Sequence, residues 1–252
     1  MIIDIEFWDC NLNYGPKTAT DQLNCCDDIN ELIINMKNAG ISGGLVIKTI
    51  KEAILANNSL AEDIKDNKNL KGVWQILPSC TEETPAPDVL PKLMKENNIV
   101  AITVNPKAHR YLPRKIAIGD YLEMARERKI PVLLNTSRGL TLEQADDIMR
   151  DFSDLTAILT FDDCWPNDRF LRPFLDAYPN LLLDITYMLT DCGLKDMLKK
   201  YPAEKILFGS GFPVSYMGAH MLVIKYAEID EEDKIKIAGG NLKRLLSEAR
   251  YD

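Results

Sequence analysis

Histidine is nearly missing from this chain: there are two in 252 residues, His109 and His220. Neutral imidazole is the commonest ligand of a catalytic divalent ion and the commonest general base. Two isolated copies therefore argue against a polyhistidine metal centre and against a histidine-based triad. No GxSxG elbow and no P-loop occur, so serine hydrolase and nucleotide hydrolase chemistry have no support. No GxGxxG follows the first β-rich run, which removes the usual dinucleotide cradle. The six cysteines form no CxxC pair and read as reduced core-filling thiols rather than a disulfide framework or a soft-metal site. Apolar runs of about 18 residues are absent, and no basic, apolar leader opens the chain, which reads as cytoplasmic with no membrane span. Positive charge is the minority sign, 30 Lys and Arg against 38 Asp and Glu, and forms no stripe of the kind a nucleic-acid partner requires.

What is present is alternation. Short, mostly apolar runs fall at Ile2–Phe7, Gly44–Lys48, Gly72–Leu77, Val100–Val104, Val132–Asn135, Ala157–Thr160, Leu181–Ile185 and Lys205–Phe208. Such runs suit strands covered on both faces. Between them lie amphipathic helical stretches, among them Asp27–Asn38, Ile50–Asp66, Ile116–Arg128 and Leu142–Asp151. Gly40 stops the first of these and Thr141 caps the last. The acidic run Asp230–Asp233 reads as a helix start facing the positive end of a dipole. Eight strands alternating with helices leave two topologies open, a closed barrel or an open doubly wound sheet, within one α/β domain over residues 1–252.

Three segments then carry a resemblance. Ile3-Asp4-Ile5-Glu6-Phe7-Trp8 lies where an Asp-x-His-x-His motif is expected. Phe208-Gly209-Ser210-Gly211-Phe212-Pro213 looks like an FGSDxP segment, and Gly239-Gly240-Asn241 with Arg244-Leu245-Leu246 is similar to a closing GGNxxRLL helix. In this order the chain resembles the amidohydrolase-related (amidohydrolase 2) group of metal-dependent hydrolases and decarboxylases. That resemblance implies a (β/α)8 TIM barrel with its site at the C-terminal ends of the strands, and a homo-oligomer. It also implies metal ligands at five positions that here hold Glu6, Trp8, Asn135, Thr160 and Gly211. The expectation is a barrel with no metal and no other cofactor.

Several side chains remain to work at the mouth. Glu6, Lys48 and Asp162 are the candidate catalytic groups, the acids as general bases and the lysine as a nucleophile. A Glu6–Lys48 ion pair neutralising the former metal cavity is the competing role for those two. Trp8, Lys107, Tyr111, Asn135, Arg138 and Trp165 are the candidate ligand-binding residues, with Tyr111 as a lid, Trp8 filling the old cavity and the cations holding an anion. His109 and His220 read as bland. The leading expectation is a small-molecule (anionic ligand) binding protein. The alternatives are a metal-independent hydrolase or lyase acting on a small carboxylated substrate, and a scaffold subunit of an active homologue.

Overall fold

The structure is a computed structural model that describes residues 5–16, 26–161 and 168–252. Eight strands run parallel in the order β1 to β8. They span Phe7–Tyr14 (β1), Ile41–Lys48 (β2), Leu70–Gln75 (β3), Ile99–Thr103 (β4), Val132–Asn135 (β5), Ala157–Thr160 (β6), Leu181–Asp184 (β7) and Ile206–Leu207 (β8). The helices used below are α1 (Ile29–Ala39), α2 (Ala53–Ile64), α3 (Leu90–Glu96), α4 (Pro106–His109), α5 (Lys115–Arg128), α6 (Leu142–Asp151), α7 (Asp168–Ala177), α8 (Gly193–Leu198), α9 (Met217–Tyr226), α10 (Glu231–Ile235) and α11 (Asn241–Glu248). This is a (β/α)8 TIM barrel. Among the described residues no helix is long and apolar enough to cross a membrane.

Local chemistry sets the helix ends. Asp28 accepts from the amides of Asn30 and Glu31 at 2.7 and 3.0 Å to start α1, and Gly40, at φ 84°, ends it in the left-handed region. Thr141 and Gln144 form a reciprocal capping box on α6, each side chain accepting from the other residue's backbone amide. Asp230 precedes α10, whose first turn carries Glu231, Glu232 and Asp233.

The first strand differs from its expected position. β1 begins at Phe7, where the expected strand ends, and continues to Tyr14. Strand parity explains the interior. Cys10, Leu45, Ile47, Val73, Ala101 and Leu133 pack together inside the barrel, with Trp8 and the α11 residues Leu242 and Leu245 beneath them. Phe7, Leu12, Tyr14 and Val46 belong instead to the layer between strands and helices. A register shift between Asp9 and Leu12 resets the alternation along β1, so that Asn11 and Asn13 follow Cys10 towards the axis.

The ring is completed at the seam between β8 and β1. Backbone amides of Cys10 and Asn13 donate to Phe208 O and Phe212 O, both at 2.9 Å. Between them the Asp9 carboxylate accepts from the amides of Asn11 (2.8 Å) and Ser210 (3.1 Å). The bulge leaves these two amides without a ladder partner, and a side chain supplies the missing acceptor.

Candidate functional site

The C-terminal ends of the strands form a polar layer above the apolar interior. Its centre is Asp184, the last residue of β7 and only 4% exposed. Asp184 Oδ2 accepts from Asn11 Nδ2 (3.0 Å) and from the Thr160 hydroxyl (2.9 Å). The Thr186 amide and hydroxyl hold Oδ1 at 2.9 and 2.8 Å. Burial raises the Asp184 carboxyl above the ordinary carboxylate range, although the four donors oppose that shift. Only glycine allows β8 to pass this close: a Cβ on Gly209 would lie 2.2 Å from Asp184 Oδ1.

Beside this centre, burial pushes the Asp9 carboxyl up to about 7, with the neighbouring Asp184 charge adding to the shift. Asp9 Oδ2 is buried and meets no donor among the described residues. The thiol of Cys10 is driven upward by burial and then by Asp184 and Asp9. It is an inert core group rather than a nucleophile.

From Asn11 the network climbs to the mouth. Asn13 Nδ2 donates to Asn11 Oδ1 (3.1 Å) and to Phe212 O (3.1 Å), and Asn13 Oδ1 accepts from the Arg138 guanidinium. Asn135, the last residue of β5, accepts from the Ser137 amide (2.9 Å) and hydroxyl (2.6 Å). It thereby fixes the single turn 136–138 that presents Arg138. No carboxylate among the described residues pairs with Arg138, and burial lowers its guanidinium to about 10. Among the described residues Arg138 is thus a partly buried cation at the end of a barrel strand with no carboxylate beside it.

The structure separates the other expected site residues from this centre. Glu6 precedes β1 and lies at the opposite end of the barrel, roughly 23 Å of strand away from Asn13. Its carboxylate binds the Lys243 ammonium, which with the Trp8 indole N–H (3.0 Å) holds it below the usual carboxylate range. Trp8 fills that same lower end, beneath Lys243 at 5.1 Å from its ring. It does not reach the C-terminal ends of the strands.

Lys48 ends β2 with the parity of Val46, so it faces outward. It pairs with Asp63 of α2 at 2.5 Å, and Tyr14 donates to the same Asp63 oxygen at 2.6 Å. The expected Glu6–Lys48 pair does not form. Tyr111 donates its hydroxyl to Ile76 O at 3.2 Å, which straps the loop after β4 to β3 rather than leaving a free lid. Lys107 is exposed on α4, its stem packed against Gly139. His109 sits on α4 with Nε2 3.1 Å from Lys51 O. His220 is buried on α9. Asp162, Cys164 and Trp165 lie outside the described residues. Cys10 is core, whereas Cys80 and Cys192 are exposed, against the expectation that both fill the core.

Asp9, Asn11, Asn13, Asp184, Thr186 and Ser210 were not anticipated. One signal for the first three is in the sequence: Asp9-Cys10-Asn11-Leu12-Asn13 has the Asp-x-polar-x-polar spacing of the family's first-strand motif, five residues beyond Asp4. Gly211, by contrast, is placed after β8 at φ 66°, where a Cβ would come 2.6 Å from Thr186 Cγ2.

The chain matches the amidohydrolase family over residues 38–247 and belongs to it. No curated protein matches the chain. Among solved structures it is similar to a TIM-barrel protein from Bordetella bronchiseptica, with 17% identity and a TM-score of 0.71 over 97% of this chain and 99% of that one. The 5-carboxyvanillate decarboxylase of Sphingomonas paucimobilis is 13% identical, with a TM-score of 0.72 over 97% and 99% of the two chains. A probable 2-pyrone-4,6-dicarboxylic acid hydrolase from Acinetobacter baumannii, solved with citric acid, is 14% identical, with a TM-score of 0.71 over 96% and 100%. At these identities the likeness carries the fold.

Proposed function

We propose that this barrel binds a small carboxylate at its C-terminal mouth through Arg138, and that it does so without the divalent ion of the family's hydrolases and decarboxylases. The observation that carries the reading is the Arg138 guanidinium, held by the Asn135-capped turn and by Asn13 with no carboxylate beside it among the described residues. A bidentate carboxylate is the natural complement of such a group. The named substrates of two structural neighbours, 5-carboxyvanillate and 2-pyrone-4,6-dicarboxylic acid, are themselves carboxylates.

The polar layer is a poor fit for a divalent ion. Asn11, Asn13, Asn135 and Thr160 are neutral and already bonded within the chain, and all five bonds to Asp184 come from protein donors. Among the described residues no three of His, Cys, Asp and Glu are grouped so as to hold a metal ion. A zinc-type centre needs deprotonated ligands with free lone pairs. The same bonds favour binding over proton transfer, since no oxygen of Asp184 is left to face a ligand. The competing reading, a metal-independent hydrolase or lyase on a small carboxylated substrate, draws its general base from Asp162 or Asp163.

The test combines elemental analysis with calorimetric titration of benzoate and succinate into wild-type protein and Arg138→Met. The expected result is substoichiometric metal, measurable binding by the wild type and at least a tenfold loss in Arg138→Met. Stoichiometric Zn²⁺ or Mn²⁺, or binding indifferent to Arg138, overturns the reading.

A further inference from the structure

The outward face of α9 is apolar and uncovered among the described residues. Met217, His220, Met221 and Ile224 turn inward and are buried. On the other side Gly218, Leu222 and Tyr226 stand four residues apart and form one row along the helix. Leu222 and Tyr226 are 51% and 80% exposed, and Tyr216, at the N-cap, is 88% exposed. From Val214 to Ile224 there is no Asp, Glu, Lys or Arg, whereas α6 carries Glu143, Asp146, Asp147 and Arg150. The first cation, Lys225, folds back, its ammonium 5.5 Å from the Phe7 ring. A helix apolar on every side belongs in an interior.

Gly218 points the same way. A helical glycine weakens its helix, and a Cβ here would meet no atom of the described residues within 4 Å. Its backbone is not left-handed either, so no local geometry calls for glycine. What glycine offers on an exposed helical row is close approach for another backbone. The row also grows along the helix, from Gly218 to Leu222 to Tyr226, and is therefore complementary to itself in reverse. Around a two-fold axis at Leu222, Gly218 of each copy faces Tyr226 of the other. The same axis sets Tyr216 opposite Glu228, at the rim of a groove of about 250 Å³ between α8 and α9 that Leu189, Leu222, Val223 and Tyr226 line.

We propose that this face pairs two copies of the chain, α9 antiparallel on α9, with the Gly218–Leu222–Tyr226 row of each seated on the other. Area and charge both favour a second copy. Tyr216, Leu222, Tyr226 and Leu189, itself 59% exposed, leave about 550 Å² of apolar surface, near the upper end for a lone monomer. That is roughly two-thirds of what each partner buries in a standard interface, and it suits a dimer of micromolar strength. Each chain carries a net charge of −8, so two copies repel wherever their acids meet. This row offers no acid, and Glu228 at its edge is held by Lys195 at 2.7 Å. The pairing is independent of the carboxylate reading of Arg138.

Sedimentation velocity across about 1–100 µM protein tests the pairing. The wild type should move from the 28.5 kDa of one chain towards twice that mass. Leu222→Asp puts two like charges on the axis, and Gly218→Leu fills the space the second backbone needs. Each should weaken dimerisation by at least about tenfold. Circular dichroism checks folding, which Gly218→Leu should preserve, because the new Cβ meets no described atom and leucine favours the helix. Oxidative cross-linking reads the register, with the exposed thiols removed by Cys80→Ser/Cys192→Ser. Leu222→Cys should then link to itself, and Gly218→Cys only to Tyr226→Cys. A wild type that stays monomeric, or a dimer indifferent to both Leu222→Asp and Gly218→Leu, overturns the proposal. So does self-linking of Gly218→Cys without self-linking of Leu222→Cys.

Discussion

Replacing Asp9 by asparagine separates protonation from shape. Asp9 is fully buried at the seam, its Oδ1 holding the amides of Asn11 and Ser210 while Oδ2 meets no donor among the described residues. Asparagine keeps the acceptor and places an N–H where the protonated acid has its O–H, so it stands in for the neutral form. The ordinary carboxyl value is 3.8, and burial lifts it to about 7 in the folded barrel. Between those values the native state holds a proton that the unfolded chain has released. Wild-type stability must then fall as pH rises through this window. Three pH units at about 1.4 kcal/mol each give about 4 kcal/mol. Asp184 is shifted in the same direction, but both proteins carry it. Urea melts of wild type and Asp9→Asn from pH 4 to pH 8 read the difference. The two should be nearly equal at pH 4, with the variant ahead by about 4 kcal/mol at pH 8, about 10 °C in melting temperature. A difference that stays flat with pH, or a wild type that gains on the variant as pH rises, refutes a neutral Asp9.

Three further outcomes follow from the placement of side chains. Asp63→Ala removes the acceptor shared by Lys48 and Tyr14 and should lower stability by about 1–2 kcal/mol, while carboxylate titration shows the mouth unchanged. Glu6→Gln acts at the far end of the barrel, so melting should stay within about 0.5 kcal/mol of wild type and carboxylate affinity should not move. Gly211→Asp puts the family's eighth-strand carboxylate at a residue with φ 66° and a close Thr186 methyl. It should cost about 2–4 kcal/mol, and thermal shift with added Zn²⁺ should show no recovery.

The sequence was most readable where the hydrophobic pattern and the polar punctuation agree. β5, β6 and α6 occupy Val132–Asn135, Ala157–Thr160 and Leu142–Asp151 as expected, because apolar runs there end at polar residues or begin at a cap. β1 misled for the opposite reason. Ile2–Phe7 is apolar and β-branched, whereas the true strand carries Asp9, Asn11 and Asn13 in its interior and so reads as a loop. Those residues are tolerated because each meets a partner more than 170 positions away: Ser210 for Asp9, Asp184 for Asn11 and Phe212 for Asn13. Local pattern holds no trace of such pairings. Arg138 and Asn135 were legible as polar residues just past a strand. Lys48 was assigned to the wrong face because the parity of β2 is fixed by Leu45 and Ile47, which point inward.

The clasp at the seam also dictates when this barrel can exist. Asp9 and Ser210 lie 201 positions apart, and the backbone bonds beside them join residues equally distant in the chain. Every other strand finds its ladder partner in the next β-run as it emerges, but β1 has one edge unanswered until the eighth strand arrives. Closing so long a loop costs chain entropy that no earlier contact offsets. A ribosome making this protein must therefore carry an open, curling sheet until Phe212 has left the exit tunnel. Until then the exposed edge of β1, studded with asparagines and an aspartate, is guarded from stray strands by its own polarity.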